Sequence, residues 1–355
     1  MSLSGLWWAS AVEGLVILVA ILLLIVLRRR IAARRREVEQ AVLALEPVMH
    51  RWLVADGAIE PVVSTLRTFH PYAALRSLAR FSTLHVPQER HEALAHAFRY
   101  ESWVEAVLRS GASCLWWRRF DAARLLCIVG QDDDAERIGA LLDDPNPAVR
   151  LVAIDAAARL ARRPLVEREL DSLPRRQDPV QAYHFAALAR HPSRVAEALE
   201  MRLNADTPMG PLIAWIAAAA ALAIPSTLRR VRDLATHPRA EVRLHVARAL
   251  RRLADPETPT VLLALLRDAD WRVRAQAARA LGALRCGVAI SDLAEAVSDP
   301  AWWVRYRSAL ALAQIGGPAR TSLESITRGN DRMARDMSQL VAGLSAAAVI
   351  EMSEV

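Results

Sequence analysis

The chain contains no lysine. All 46 of its basic residues are arginines, set against 39 acidic residues, for a formal net charge of +7. An arginine-only basic set reads as the coding bias of a GC-rich genome and is poor evidence for phosphate recognition. Cysteine is scarce too: Cys114, Cys127 and Cys286 are scattered, odd in number and without CxxC spacing. Such a set argues against a disulfide framework and points to reduced, structural thiols in a reducing compartment. Only 13 glycines are present, and no window alternates convincingly with period two, so strands are not expected. A glycine-rich phosphate loop, a nucleophile elbow and a paired-carboxylate constellation are all missing. His91-Glu92-Ala93-Leu94-Ala95-His96 sets its histidines about 140° apart around a helix, where a zinc-protease motif keeps them on one face. The sequence offers no catalytic set, no metal site and no cofactor site, and the chain is not expected to be an enzyme.

What is abundant is apolar side chain. Hydrophobic residues fill 53 % of 355 positions, enough for a large core. One apolar segment stands apart, from Leu6 to Leu27, broken only by Glu13. Its length of about 20 residues suits a single membrane crossing, and Trp7 and Trp8 fall where an interfacial aromatic belt would lie. No basic residue precedes it, which argues against a cleaved signal peptide. Arg28, Arg29, Arg30, Arg34, Arg35 and Arg36 follow it. The positive-inside rule then places the N-terminus outside and the rest in the cytoplasm, a single-pass arrangement in a bacterial inner membrane with residues 6–27 in the bilayer. The same arginines can touch anionic headgroups. Glu13 is either protonated or turned toward the headgroups, or it contacts a partner's transmembrane helix. Without this cluster the body of the chain is nearly neutral.

A repeat organises the remainder. Val242-Arg243, Val273-Arg274 and Val304-Arg305 are each followed by Ala four residues after the Arg and Leu three residues later. The arginines at 243, 274 and 305 set a period of 31, and Arg150 and Arg119 are in phase. A fixed period of this size marks a stacked array. Each repeat predicts two helices. Leu141-Leu142, Leu234-Ala235, Leu265-Leu266 and Ala296-Val297 end the first, an Asp/Pro turn follows, and the second carries Val, Ala and Leu on one face. A lone buried arginine is costly, so the turn carboxylate six residues upstream (Asp144, Asp268 or Asp299) is expected to pair with it. Met209–Ile224, uncharged and in phase, is predicted to be a buried helix of the array and not a second membrane span.

This pattern resembles the HEAT repeat, in the short bacterial form also found in HEAT-like repeats of phycobilisome lyases. The resemblance implies an all-α fold, an α-solenoid of helix pairs over residues 132–345 with the second helices lining its concave face. Arg119, Arg150, Arg243, Arg274 and Arg305 carry it; the in-phase positions Gln181, Leu212 and Asp336 depart from it. Ahead of the array, helices are predicted near 37–55, 60–69, 71–83, 87–99, 101–109 and 113–129, forming the cap that a solenoid end requires. The expected organisation is an anchor over 1–36, a cap with divergent first repeats over 37–131, the solenoid over 132–345 and a tail over 346–355. Asp132-Asp133-Asp134 is expected to cap the helix that follows it.

Two surfaces are candidate sites. Arg159, Arg162, Arg163, Arg248, Arg251, Arg252, Arg279 and Arg307 are assigned to the second helices. They form either a solvated face balanced by nearby acids or a basic groove for an acidic partner, with nucleic acid the less expected ligand. Trp271 and Trp302 hold equivalent positions three residues before the phased arginines, and Trp303 follows. They either cover the core between repeats or form an exposed ridge. Tryptophan and arginine dominate interface hot spots, so Trp271, Trp302, Trp303, Arg272 and Arg307 are the candidate partner-binding residues. The leading expectation is a membrane-anchored cytoplasmic scaffold or adaptor that binds another protein at or in the inner membrane. An accessory of a lyase-like enzyme system, or a basic-groove nucleic-acid binder, is the alternative.

Overall fold

A computed structural model of the protein describes residues 3–54, 58–81, 88–160, 162–175 and 181–354. The fold is all-helical, with no strand among the described residues. The chain divides into two compact units, Met1–Leu160 and Ala161–Val355.

The first unit begins with a long helix, α1 (Leu3–Val54), followed by α2 (Glu60–Arg67), α3 (Pro71–Phe81), α4 (Gln88–Phe98) and α5 (Ser102–Arg109). Two further helices after it, α6 (Trp116–Val129) and α8 (Pro147–Leu160), flank α7 (Ala135–Leu142). Pro61 and Pro71 sit in first turns, where no intrahelical N–H is lost. Among the described side chains of α1, only those of its C-terminal part join the core: Ala41, Leu45, Met49 and Trp52, at helical spacing, are buried. The Glu37 carboxylate accepts the His70 amide at 3.1 Å. Upstream, every side chain from Leu15 to Arg36 is exposed. Among the described residues no helix is long and apolar enough to cross a membrane. The described apolar side chains start at Leu15 and run into Arg28; Trp7, Trp8 and Glu13 lie outside the described side chains. The acidic run does not cap α7 as expected. Buried Asp134 instead accepts the Gln131 amide at 3.0 Å and pairs with Arg99 at 3.0 Å, so its carboxylate is already engaged.

The second unit continues as six helix pairs and a final helix. The first helices are α9 (Arg163–Ser172), α11 (Pro192–Arg202), α13 (Leu228–Asp233), α15 (Thr258–Leu266), α17 (Ile290–Ala296) and α19 (Pro318–Ile326). The second helices are α10 (Gln181–Leu188), α12 (Met209–Ala221), α14 (Ala240–Leu250), α16 (Trp271–Ala283), α18 (Trp302–Ile315) and α20 (Arg332–Ala342); α21 (Ala346–Glu354) ends the chain. Arg163 therefore opens a first helix and does not lie on a second one. Val242, Ala247 and Leu250, with their counterparts Val273, Ala278, Leu281 and Val304, Ala309, Leu312, are all fully buried. This is the face that the spacing predicted. The repeat that lacks the arginine keeps its helix: Leu212 and Ile216 are fully buried, and the Trp215 indole N–H ties α12 to the Leu170 carbonyl at 2.9 Å. Three of the second helices also end alike. Ala223, Arg285 and Gly316 fall in phase at positive φ, after α12, α16 and α18. The turned backbone lets Ile224 and Cys286 donate back to Ala219 and Leu281 at 3.1 and 3.0 Å, satisfying terminal carbonyls.

The phased arginines are held differently from expectation. Arg119, Arg243 and Arg274 each span two turns. Arg243 donates through Nη1 to the carbonyls of His237 and Pro238 at 2.7 and 3.1 Å, closing its own turn. Its Nε and Nη2 grip the carboxylate of Asp268, in the next turn, at 2.6 and 2.8 Å. Arg274 repeats this with the Asp268 and Ala269 carbonyls and with Asp299 at 2.7 and 2.9 Å. In the first unit Arg119 grips Asp144 in the same way. Asp144, Asp268 and Asp299 each also accept the amide two residues on, at 2.8 Å. The aspartate six residues upstream thus offers its backbone carbonyl, while its carboxylate serves the arginine of the preceding repeat. Arg150 and Arg305 show the same turn-closing bonds. A fork reaches farther than its own turn, and bidentate pairing with carboxylate satisfies both groups in one plane.

Candidate interaction surface

The three tryptophans stand where second helices begin. Trp271, Trp302 and Trp303 remain 43 %, 45 % and 48 % exposed, and none packs into the hydrophobic core of the unit, although Tyr306 does. Trp302 and Trp303 meet edge to face with ring centroids 4.8 Å apart, and Trp302 stacks on Tyr306 at 5.0 Å and 16°. Such pairs fix one another's orientation. The result is a preorganised aromatic cluster whose outer faces stay in water. Tyr306 was missed by the sequence reading, yet its place one helical turn after Trp302 and Trp303 is the signal that finds it. A counterpart exists in the first unit. Trp116, Trp117 and Phe120 lie at the same repeat positions a whole number of periods earlier, with Trp116 at 6.2 Å from Trp117 and 6.3 Å from Phe120.

The two candidate arginines part company. Arg272, beside Trp271, is clamped between Asp270 of its own turn at 2.7 Å and Glu241 of α14 at 3.0 Å. Its hydrogen bonds to these two carboxylates push its proton affinity up, and the Arg272 bond in turn holds the Asp270 carboxyl below its ordinary value despite some burial. Arg272 is a neutralised post at the rim. Arg307 is 9 % exposed and turns away from the rim. Its Nη1 donates to the Met352 carbonyl at 2.9 Å, and its guanidinium lies 5.9 Å from the Tyr306 ring centre. Burial lowers its pKa, with Tyr306 opposing.

Arg28, Arg29, Arg30, Arg35 and Arg36 are exposed along α1; exposed Arg34 also lies 5.5 Å from the Tyr72 ring centre. All three cysteines are unbonded to one another, and burial pushes the Cys127 thiol up to about 12. Among the described residues no group of His, Cys, Asp and Glu could hold a metal ion.

Residues 197–282 and 258–341 match the HEAT repeat family. No curated protein matches the chain. Among solved structures, Kap121p bound to Nup53p is 13 % identical, with a TM-score of 0.52 over 85 % of this chain and 40 % of that one. The complex of CpcE and CpcF of phycocyanin lyase from Nostoc sp. is 19 % identical, with a TM-score of 0.29 over 67 % of this chain and 93 % of that one. Escherichia coli YibA is 14 % identical, with a TM-score of 0.36 over 73 % and 96 %. The family match and the likeness to Kap121p agree with the helix pairs and the period: residues 197–341 carry HEAT repeats, and the fold is all-helical and solenoid-like.

Proposed function

We propose that this chain is a non-enzymatic scaffold that holds a protein partner at a bacterial inner membrane, with its N-terminus outside and its helical repeats in the cytoplasm. The observation that carries the partner-binding reading is the half-exposed aromatic cluster at the start of α18, with Trp271 one repeat away. Rigid, preordered tryptophans cost little entropy to bury and suit a hot spot. A neighbour of the same fold is bound to another protein, Nup53p, which supports a protein partner. The anchoring reading rests on α1: Leu15 to Leu27 contribute a continuous run of exposed apolar side chains ending at an arginine cluster, and packing against the unit starts only beyond it.

The test of the rim is affinity capture in mild detergent. Trp271→Ala with Trp302→Ala is expected to lose the partner while changing stability by no more than about 1–2 kcal/mol. A large stability loss with no separate loss of capture would assign both rings to the packing of the repeat. The anchor is tested by fractionation. The full chain should sediment with membranes and need detergent for release, whereas a chain starting at Glu37 should stay in the soluble fraction and keep its helical signal. A full-length chain found in the soluble fraction would remove the anchor.

A further inference from the structure

The second helices α14, α16 and α18 carry an uneven charge. Beyond Glu241 at its start, α14 has no acidic residue, and α16 and α18 have none at all. Several of their arginines are committed to turns or to rim acids. Arg248, Arg279 and Arg307 are on the helix bodies. Arg248 and Arg279 hold equivalent positions one period apart, about 10 Å by helix packing, and Arg248 is exposed.

The chain's last helix already sits here. α21 caps its start with the Ser345 hydroxyl, which accepts the Ala348 amide at 3.2 Å. Its other end meets the arginines: Arg279 Nε donates to the Ser353 carbonyl at 2.8 Å and Arg307 Nη1 to the Met352 carbonyl at 2.9 Å. A helix C-terminus carries negative partial charge, so it satisfies the pair as an anion would. Among the described residues no carboxylate forms an ion pair with Arg307, although it is almost buried. A buried guanidinium without a carboxylate is an energetic cost that a more acidic occupant would relieve. Residues 345–355 contain Glu351 and Glu354 and no basic residue, so the seated segment matches the charge of its seat.

The seat is lightly held. Val349 is buried, but Ile350 and Met352 are 57 % and 42 % exposed. A cavity of about 410 Å³ remains beside α21, lined by Arg251, Gly282, Arg285, Arg320, Val349 and Ser353 among others. A terminal helix with so few buried apolar groups belongs to the low-stability end of local opening.

We propose that the α14–α16–α18 face is a receptor for an acidic helical peptide of the partner, and that α21 occupies it in cis until that peptide displaces it. This deepens the scaffold reading and rests on it, yet the two fail separately: the assay below uses no natural partner, whereas capture through the tryptophan rim uses no peptide.

The probe is a fluorescein-labelled peptide of residues 345–355, titrated by anisotropy into the full chain and into a chain ending at Leu344. A tethered occupant acts at millimolar effective concentration, so removing α21 should tighten peptide binding about tenfold or more. Arg279→Gln with Arg307→Gln in the shortened chain should abolish that binding, and a scrambled peptide should bind neither. Hydrogen exchange on the full chain serves as a readout that needs no truncation. The same double substitution should speed exchange of the Val349–Ser353 amides at least about tenfold while leaving α16 and α18 unchanged, as expected when only a local opening is affected. Equal affinity for the two chains, binding that survives the double substitution, or α21 exchange that does not move would each overturn the proposal. A DNA duplex that displaces the peptide at the same salt would replace it with a nucleic-acid site.

Discussion

Asp268→Ala is expected to cost the second unit about 3 kcal/mol, the lower end of what breaking a buried ion pair costs. The aspartate does two jobs. Its carboxylate receives both arms of Arg243 at 2.6 and 2.8 Å and the Asp270 amide at 2.8 Å. Only 7 % of its side chain is exposed, and 16 % of that of Arg243. Alanine leaves the guanidinium facing the next turn with no acceptor for its fork, and the turn loses an amide acceptor. Some water still reaches Arg243, which is why the lower end applies. Removing both charges, as Asp268→Ala with Arg243→Met, should recover part of the loss, because the uncompensated charge is gone. Urea unfolding followed by helical signal reads both. A single-variant loss below about 1 kcal/mol would make the pair an ordinary surface contact. The acid side follows from the same geometry. Burial pushes the Asp268 carboxyl up, but the Arg243 hydrogen bonds, the Asp270 amide and the Arg243 charge outweigh it, and the net position is below the ordinary value; Asp144 behaves alike with Arg119 and Asn146. A carboxyl whose folded pKa is depressed stabilises fully above its unfolded value, about 3.9, and loses that contribution as pH falls through the folded value. Stability linked to these pairs should therefore hold down to about pH 4 and decline below it. Asp268→Ala should flatten that decline.

The ladder also marks the limit of what the chain's order revealed. The period, the helix starts at Trp271 and Trp302 and the buried Val, Ala and Leu were legible because each repeats the same local chemistry at one spacing. The partner of Arg274 was not. Arg119 and Arg243 have Ser113 and His237 six residues before them, leaving only the downstream aspartate, but Arg274 lies between Asp268 and Asp299, one period apart, and there the sequence cannot say which carboxylate is used. Only the reach of the fork decides. At the Leu212 repeat the arginine and its partner are both missing. Leu212 stands at one end, fully buried, and His237 at the other, where its Nδ1 accepts the Arg239 amide at 3.1 Å as an aspartate does elsewhere. The repeat read as degenerate is thus an apolar version of the same joint. At Asp336 the departure is a slip: α20 starts one residue early, and Arg335 closes its turn on the Gly329 carbonyl at 3.2 Å. The folding back of α21 had no local signal, since its attachments come from arginines many residues upstream. The aromatic rim was half legible. Phase placed the tryptophans, but whether they face water depended on Tyr306 taking the inward position.

Gly282→Val is expected to be at least as damaging as an ordinary overpacking substitution, with a loss of about 3 kcal/mol. α16 and α18 approach each other closely at this position. A Cβ built on Gly282 would stand 2.6 Å from the Ala311 Cα, 2.7 Å from its Cβ and 2.5 Å from the Gln314 Oε1. The glutamine can rotate away; the Ala311 backbone cannot without moving α18. In a free helix, glycine to alanine gains up to about 1 kcal/mol of propensity. Here even Gly282→Ala should lose stability, since one added carbon must push two helices apart along a face of fully buried residues. That reversal of sign distinguishes close packing from a merely weak helix. Ala311→Gly removes one of the three clashing atoms, so combining it with Gly282→Ala should do better than the sum of the two single changes, a coupling that a double-mutant cycle measures. If Gly282→Ala stabilises the chain, or if the pair is simply additive, the close contact between these repeats does not govern their stacking. If the coupling appears, the joint that seats α18 against α16 also sets the floor on which α21 rests, because Gly282 lines the cavity beside it. The same substitution should then loosen α21 and speed its hydrogen exchange without touching Arg279 or Arg307.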